Sequence, residues 1–263
     1  MVLVLLENME YFSRKEANQW LVHLHTQLKE IPSVNDENTV YSFLKSKDGI
    51  SNSSNDYWTE YKAINGINSN ICYENLDAIH DYQWPYIENI IFIDDFSGSG
   101  KSFLDEINKH LVLFHNKRVF LIVVSVMEAA QERILAFCKD NGINCTLLYG
   151  VRQAKAFERG LFGDNDSEKE RLIALSTQLH IPLSEHLGFS DPETGDPSQS
   201  LVAFYNNTPN NTLGIMRYDV TRGYFSIFPR KRDPRPAWQT ISKTKNRKAT
   251  NYLNAIIKGE KGE

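Results

Sequence analysis

The chain has 263 residues, 41% hydrophobic and 24% charged, with a formal net charge of −4. That length suits one large domain, or a domain with a small annex, and the composition is that of a globular chain rather than a disordered or fibrous one. The acidic balance gives no bulk-charge signature of nucleic-acid binding, and the apolar opening "MVLVLL" is too short to cross a bilayer and lacks the basic segment of a secretory leader.

That opening predicts the start of a buried helix. "SRKEANQWLVHLHTQLKEI", from residue 13, predicts an amphipathic helix with Trp20, Leu21, Leu24 and Leu28 at helical spacing. Ser13 can cap it and Glu16 can close a capping box. "TVYSFL", 39 to 44, predicts a strand, followed by the polar loop 45 to 55 and a helix over "DYWTEYKAING". "NIIFI", 89 to 93, is a continuous apolar run of the kind a parallel strand buried on both faces requires. A helix over "SFLDEINKHLVLF" follows, then a second buried strand, 118 to 127, a helix ending at Gly142, and a third strand, 143 to 150. Alternating strand and helix implies right-handed βαβ units, hence an α/β fold with a doubly wound, mostly parallel sheet.

Beyond residue 150 the alternation stops. "SEKERLIALSTQLH" predicts a helix capped by Asp166 or Ser167. "SQSLVAFYNNTPNNTLGIMRYD" predicts a strand, a tight Asn/Pro turn and a second short extended piece. Residues 230 to 263 hold ten Lys/Arg and three Asp/Glu, about +7 on a chain that is otherwise about −11. The expected organisation is an α/β domain over 1–229, with an N-terminal helical segment, and a basic C-terminal extension over 230–263. Trp238, Tyr252, Leu253, Ile256 and Ile257 give that extension enough apolar surface to dock, and its charge suits a polyanion. Cys72, Cys138 and Cys145 are odd in number, form no CxxC and lack metal-ligand spacing, so a reducing, cytoplasmic compartment is expected.

The chemistry concentrates in "NIIFIDDFSGSGKSFLDEI", 89 to 107. Gly100-Lys101-Ser102 invites comparison with a nucleotide-hydrolysing P-loop. That loop needs a glycine five residues before Gly100, and Asp95 stands there instead, with a charge that repels phosphate. A different arrangement suits these residues. Asp94 and Asp95 end a parallel strand, where doubly wound sheets bind ligands, and carboxylates accept hydrogen bonds from ribose hydroxyls. The backbone amides of Phe96, Ser97, Gly98, Ser99, Gly100, Lys101 and Ser102, with the helix N-terminus they open, can wrap a phosphate. A plain strand-to-helix turn is the competing reading.

These residues resemble the PRPP-binding motif of type I phosphoribosyltransferases: an apolar strand, two acids, a Ser/Thr/Gly loop and a hydroxyl residue opening a helix. Lys101 departs from the usual Gly or Thr. Together with "LLENMEYFSR", "YNNTPNNTLGI" and "FPR", the motif resembles a divergent bacterial phosphoribosyltransferase-like family of conflict systems, including effectors encoded beside retron reverse transcriptases. The resemblance implies a sheet of the type I phosphoribosyltransferase kind and PRPP or a nucleotide as ligand, with Asp94 and Asp95 in the catalytic position. It also implies an antiphage effector, or toxin, with a retron reverse transcriptase and its RNA–DNA as partners. Mg²⁺ is expected only with a diphosphate ligand, since the histidines form no ligand triad.

Other candidates are less distinctive. Lys45 and Lys47, with Ser53 and Ser54, lie where such enzymes bind pyrophosphate. Asn207, Asn210 and Asn211 carry amides suited to reading a base edge. Arg152 follows the third strand, and Arg230 can meet a phosphate or belong to the basic extension. Three functions are compatible with the residues: a glycosyl-transferring or nucleotide-consuming enzyme, a nucleotide-sensing or scaffold module without catalysis, and, against the charge of Asp95, a P-loop NTPase or kinase.

Overall fold

A computed structural model describes residues 1–44, 53–191, 193–220 and 223–230. The first compact unit runs from Met1 to Arg230. The basic extension from residue 231 onward lies outside the described residues, as do Lys45 and Lys47.

The elements in chain order are α1 (Val2–Glu7), β1 (Glu10–Phe12), α2 (Arg14–Lys29), β2 (Thr39–Phe43), α3 (Ser53–Asn65), β3 (Asn89–Ser97), α4 (Lys101–Lys109), α5 (Leu111–Phe114), β4 (Arg118–Met127), α6 (Glu128–Asp140), β5 (Asn144–Gln153), α7 (Asn165–Gln178), β6 (Val202–Phe204) and α8 (Gly214–Arg217). The capping box expected at Ser13 and Glu16 is present in full, and the helix it starts buries Ala17, Leu21, Leu24 and Leu28. All nine residues of β3 are buried. Each fully buried Ile or Phe on such a strand contributes about 1.5–3 kcal/mol, so β3 is the spine of the sheet.

The main sheet is all parallel, in the order β2-β3-β4-β5. Its outer edge carries one further clue. Tyr41 of β2 pairs with Ile91 on one side and makes a parallel bridge to Cys72 on the other. Tyr73 N–H donates to the Tyr41 carbonyl at 2.9 Å. From β2 the chain therefore passes outward through α3 to the sheet edge, then returns to the opposite side as β3. The order reverses between β2 and β3, which makes their carboxyl ends the topological switch point, the crevice where open α/β sheets bind ligands.

Helices flank this sheet in two packed pairs, α2 with α3 and α4 with α6. The sheet core includes Ile90 to Ile93, Val119 to Val124, Trp58 and Phe103. A second apolar cluster lies under the C-terminal half of the unit. It joins Leu5 of α1 to Phe157, Leu172, Ile181, Leu201, Leu213, Ile215 and Met216.

Several expectations change. α1 buries only Leu5, because its apolar run is exposed at Leu3 and half-exposed elsewhere. The helix expected over 102–114 breaks at His110 into α4 and α5. β5 extends to Gln153. The cap of α7 is Asp164, whose side chain accepts from Ser167 N–H, not Asp166 or Ser167. The extended piece expected after the Asn/Pro turn is instead the short helix α8. β1 was not legible: three residues that pair in parallel with β6 almost two hundred residues later have no local periodicity.

Candidate functional site

Asp94 and Asp95 lie in the carboxyl-terminal half of β3, which runs on to Ser97 instead of ending at the acids, and each is only 6% exposed. Asp94 Oδ1 accepts from Ser54 Oγ at 2.6 Å and from the Asp95 N–H at 2.9 Å. Asp95 Oδ1 accepts from the Phe96 N–H at 2.9 Å. Burial, then the adjacent Asp95 charge, holds the Asp94 carboxyl well above the usual carboxylate range, against the pull of Ser54.

The side chains around the pair come from far apart in the chain. Tyr57 of α3 sits edge-on to Phe204 at 5.6 Å and tilted against Tyr205 at 6.3 Å. Burial and the Asp95 charge push its phenol far up. Neither the Tyr57 hydroxyl nor Trp58 Nε1 has a hydrogen-bond partner among the described residues, although both are buried. Unpaired buried donors are costly, so the Tyr57 hydroxyl, close enough to Asp95 to feel its charge, is an unsatisfied donor near the acid pair.

The loop beyond the acids turns sharply. Gly100 adopts φ 74°, the left-handed region that suits glycine, and serves as N-cap of α4 without a side-chain cap. The first amide of α4, the Lys101 N–H, donates to Ser99 Oγ at 3.4 Å; the remaining first-turn amides are the groups that a helix N-terminus presents to an anion. Ser97 is the buried last residue of β3, before the loop, and Ser102 lies exposed in the first turn of α4. A Cβ at Gly98 would overlap the side-chain amide of Asn211, so that glycine is required by a close approach. Asn211 also donates to Ser198 Oγ at 2.7 Å. The Asn/Pro turn thus reaches the loop through one of its three candidate amides. Asn207 Oδ1 instead accepts from the N–H of Thr208, and Asn210 uses its backbone carbonyl to receive Phe189 N–H.

Lys101 turns from the loop toward acids, 3.3 Å from Asp105 and 3.2 Å from Glu193. Its ammonium is held above the ordinary range chiefly by Glu193. Arg133 of α6 donates to the Ser99 carbonyl at 3.3 Å, pairs with Asp191 and reaches Glu193 at 2.6 Å. Burial works upward on Asp191, but the Glu193 N–H and the Arg133 guanidinium hold its carboxyl below the usual range. Lys155 reaches Asp196 at 2.7 Å. A cavity of about 330 Å³ opens here, lined by residues that include Gly98, Ser99, Arg133, Lys155, Asp191 and Asp196.

Arg152 does not line that cavity; it is half-exposed and faces Glu128 at 3.6 Å and Glu132 at 3.9 Å. Arg230 is tied into the α/β unit, its side chain donating to the Thr208 carbonyl at 2.8 Å. Arg133, Lys155 and the acids 191–196 carried no sequence signal, because each resembles an ordinary charge on a solvated helix or loop.

Among the described residues no group of three or more His, Cys, Asp or Glu side chains is arranged to hold a metal ion. Asp94 and Asp95 can still face Mg²⁺ carried by a diphosphate, the usual way that ion is shared between one or two carboxylates and phosphate. No described helix is long and apolar enough to cross a membrane.

A family model, PRTase-CE, matches residues 1–230. Among solved structures the chain is similar to the Helicobacter pylori Xanthine-Guanine-Hypoxanthine Phosphoribosyltransferase. Identity is 12%, with 53% of this chain and 85% of that chain covered, and the TM-score is 0.36. No curated protein matches the chain.

Proposed function

The chain belongs to the PRTase-CE family, and we propose that it binds PRPP or a nucleotide at the carboxyl ends of β2 and β3. The observation that carries this reading is the buried acid pair Asp94–Asp95 of β3 at a topological switch point, with the turn through Gly98, Ser99 and Gly100 leading from that strand into the α4 N-terminus. The 5-phosphate sits on the amides of Ser97 to Ser102, and the acids orient the ribose hydroxyls. In the catalytic form of the reading, the bond from ribose C1 to its leaving group breaks first. The leaving group departs with the electron pair, as pyrophosphate from PRPP, and C1 passes through an oxocarbenium-like state before an acceptor's lone pair forms the new bond. Mg²⁺ accompanies a diphosphate ligand and offsets its charge.

A second reading, a sensing module without catalysis, is favoured by the burial of both carboxylates, with Tyr57 near Asp95. The same titration separates the two. PRPP and the common nucleotides are titrated calorimetrically with Mg²⁺, and the mixtures are then analysed for released base, pyrophosphate or ribose phosphate. Binding with product supports the enzyme, and binding without product supports the sensor. The Asp94→Asn/Asp95→Asn double variant is expected to lose binding while remaining folded. Undiminished binding by that variant overturns the site.

At the finer level, we propose an effector of an antiphage system, with a retron reverse transcriptase and its RNA–DNA as partners and the basic extension as the contact. The support is the resemblance carried by "LLENMEYFSR", the Asp-Asp loop, "YNNTPNNTLGI" and "FPR". Expression of the chain alone is expected to arrest growth, and co-expression of such a partner to relieve the arrest. Growth unaffected by the chain under phage challenge and without it removes this role.

A further inference from the structure

The cavity beside the loop lies at the phosphate end of the site, since Gly98 and Ser99 line it and the acid pair does not. At about 330 Å³, it has the volume of about ten waters at about 30 Å³ each. A single phosphate on the α4 amides leaves most of that space unfilled.

Its charges are arranged unusually. The segment Phe189–Ser198 folds back on itself: Ser190 bridges Pro197, and Ser198 N–H donates to the Phe189 carbonyl at 3.0 Å. Its carboxylates meet the cations around the loop, Asp191 on Arg133, Glu193 on both Lys101 and Arg133, and Asp196 on Lys155. These carboxylates are not equivalent. The Asp191 side chain is 4% exposed and also accepts from the Glu193 N–H at 2.8 Å, so it belongs to the framework. Glu193 and Asp196 are 64% and 49% exposed. Exposed carboxylates bind cations weakly and exchange readily with a better anion. A phosphoryl group, with more charge and three acceptor oxygens, is such an anion.

Resting on the phosphate-loop assignment above, we propose that this cavity receives a second phosphoryl group, the one joined to the ligand's 5-phosphate. Glu193 and Asp196 hold its cations until that group arrives. Arg133, which lines the cavity and donates to the Ser99 carbonyl, lies at the boundary of the two phosphates, while Lys155 faces only the outer one. Of the two ligand classes named above, this favours nucleotides with a 5′-diphosphate or its esters over ligands with a terminal 5-monophosphate, PRPP among them.

The test titrates the four common ribonucleoside 5′-monophosphates and the matching diphosphates into the full chain and two variants. Diphosphates are expected to bind at least about threefold more tightly than monophosphates, as one added charge-assisted contact requires. Asp196→Asn, at an exposed position, should widen that ratio severalfold and leave the monophosphates unchanged. Lys155→Met should close the ratio. Equal affinities that neither variant alters overturn the second subsite and leave the first intact. No binding of either series overturns the subsite and the phosphate-loop reading together.

Discussion

Ser54 Oγ donates to Asp94 Oδ1 across 2.6 Å, joining the first turn of α3 to the carboxyl end of β3. The bond favours the ionised carboxyl, whereas burial and Asp95 favour the neutral one and win. The folded chain therefore binds a proton at Asp94 that the unfolded chain releases near the ordinary value of 3.8. Stability from this group is fully present below that value and declines as pH rises through the raised folded value. Asp94→Asn is expected to flatten this decline, raising the melting temperature more at pH 8 than at pH 5. Thermal melts at both values check it, and equal shifts would refute the raised carboxyl.

Ser54→Ala removes the one side-chain donor to Asp94 found among the described residues. It is expected to cost about 1–3 kcal/mol at neutral pH, the range for leaving a buried acceptor short of a partner. Denaturant unfolding of the variant measures the loss.

Gly98 and Asn211 form the contact between the loop before α4 and the Asn/Pro turn. Gly98→Ala is expected to lose about 1–3 kcal/mol through overpacking. Asn211→Ala alone costs less, and combined with Gly98→Ala it should restore part of the loss, since it removes the group that the new methyl meets. A double-mutant cycle by chemical denaturation reads the coupling; strictly additive losses would show that the two residues do not meet.

Arg217 is fully buried, donates to the Thr212 carbonyl at 2.7 Å and pairs with Glu185. It fastens α8 to the turn that carries Asn211. Arg217→Met keeps much of the packing and deletes the charge. We expect a loss of about 2–4 kcal/mol, below the upper range for breaking a buried pair because Glu185 can reach water. Nucleotide titration of the same variant should show weaker binding, because the turn loses its anchor on the loop.

The extension of residues 230 to 263 carries about +7. If a polyanion is its partner, affinity for structured RNA–DNA falls steeply with salt. Neutralising Lys243, Lys245, Arg247 and Lys248 together should reduce the slope of log K against log salt by about 2–4. An unchanged slope assigns the charge elsewhere.

The sequence by itself determined the parallel sheet and the loop. Ile90 to Ile93, Val119 to Val126 and their intervening helices carry a local period, and Asp94 to Ser102 carries its chemistry in consecutive residues. Such signals survive in one dimension because the contacts that create them are short-range or uniform along a strand. Tertiary structure alone decided what surrounds the loop. Ser54, Arg133, Lys155, Asp191 and Asn211 meet around Asp94 and the loop from five separate segments; Ser54 and Asn211 were candidates in the sequence without their partners, and the other three are ordinary charges there. The pairing of β1 with β6 and the bridge from Tyr41 to Cys72 follow the same rule. A contact between distant residues leaves no period in the chain, so only the folded molecule shows that the loop before α4 is bounded by carboxylates rather than by open solvent.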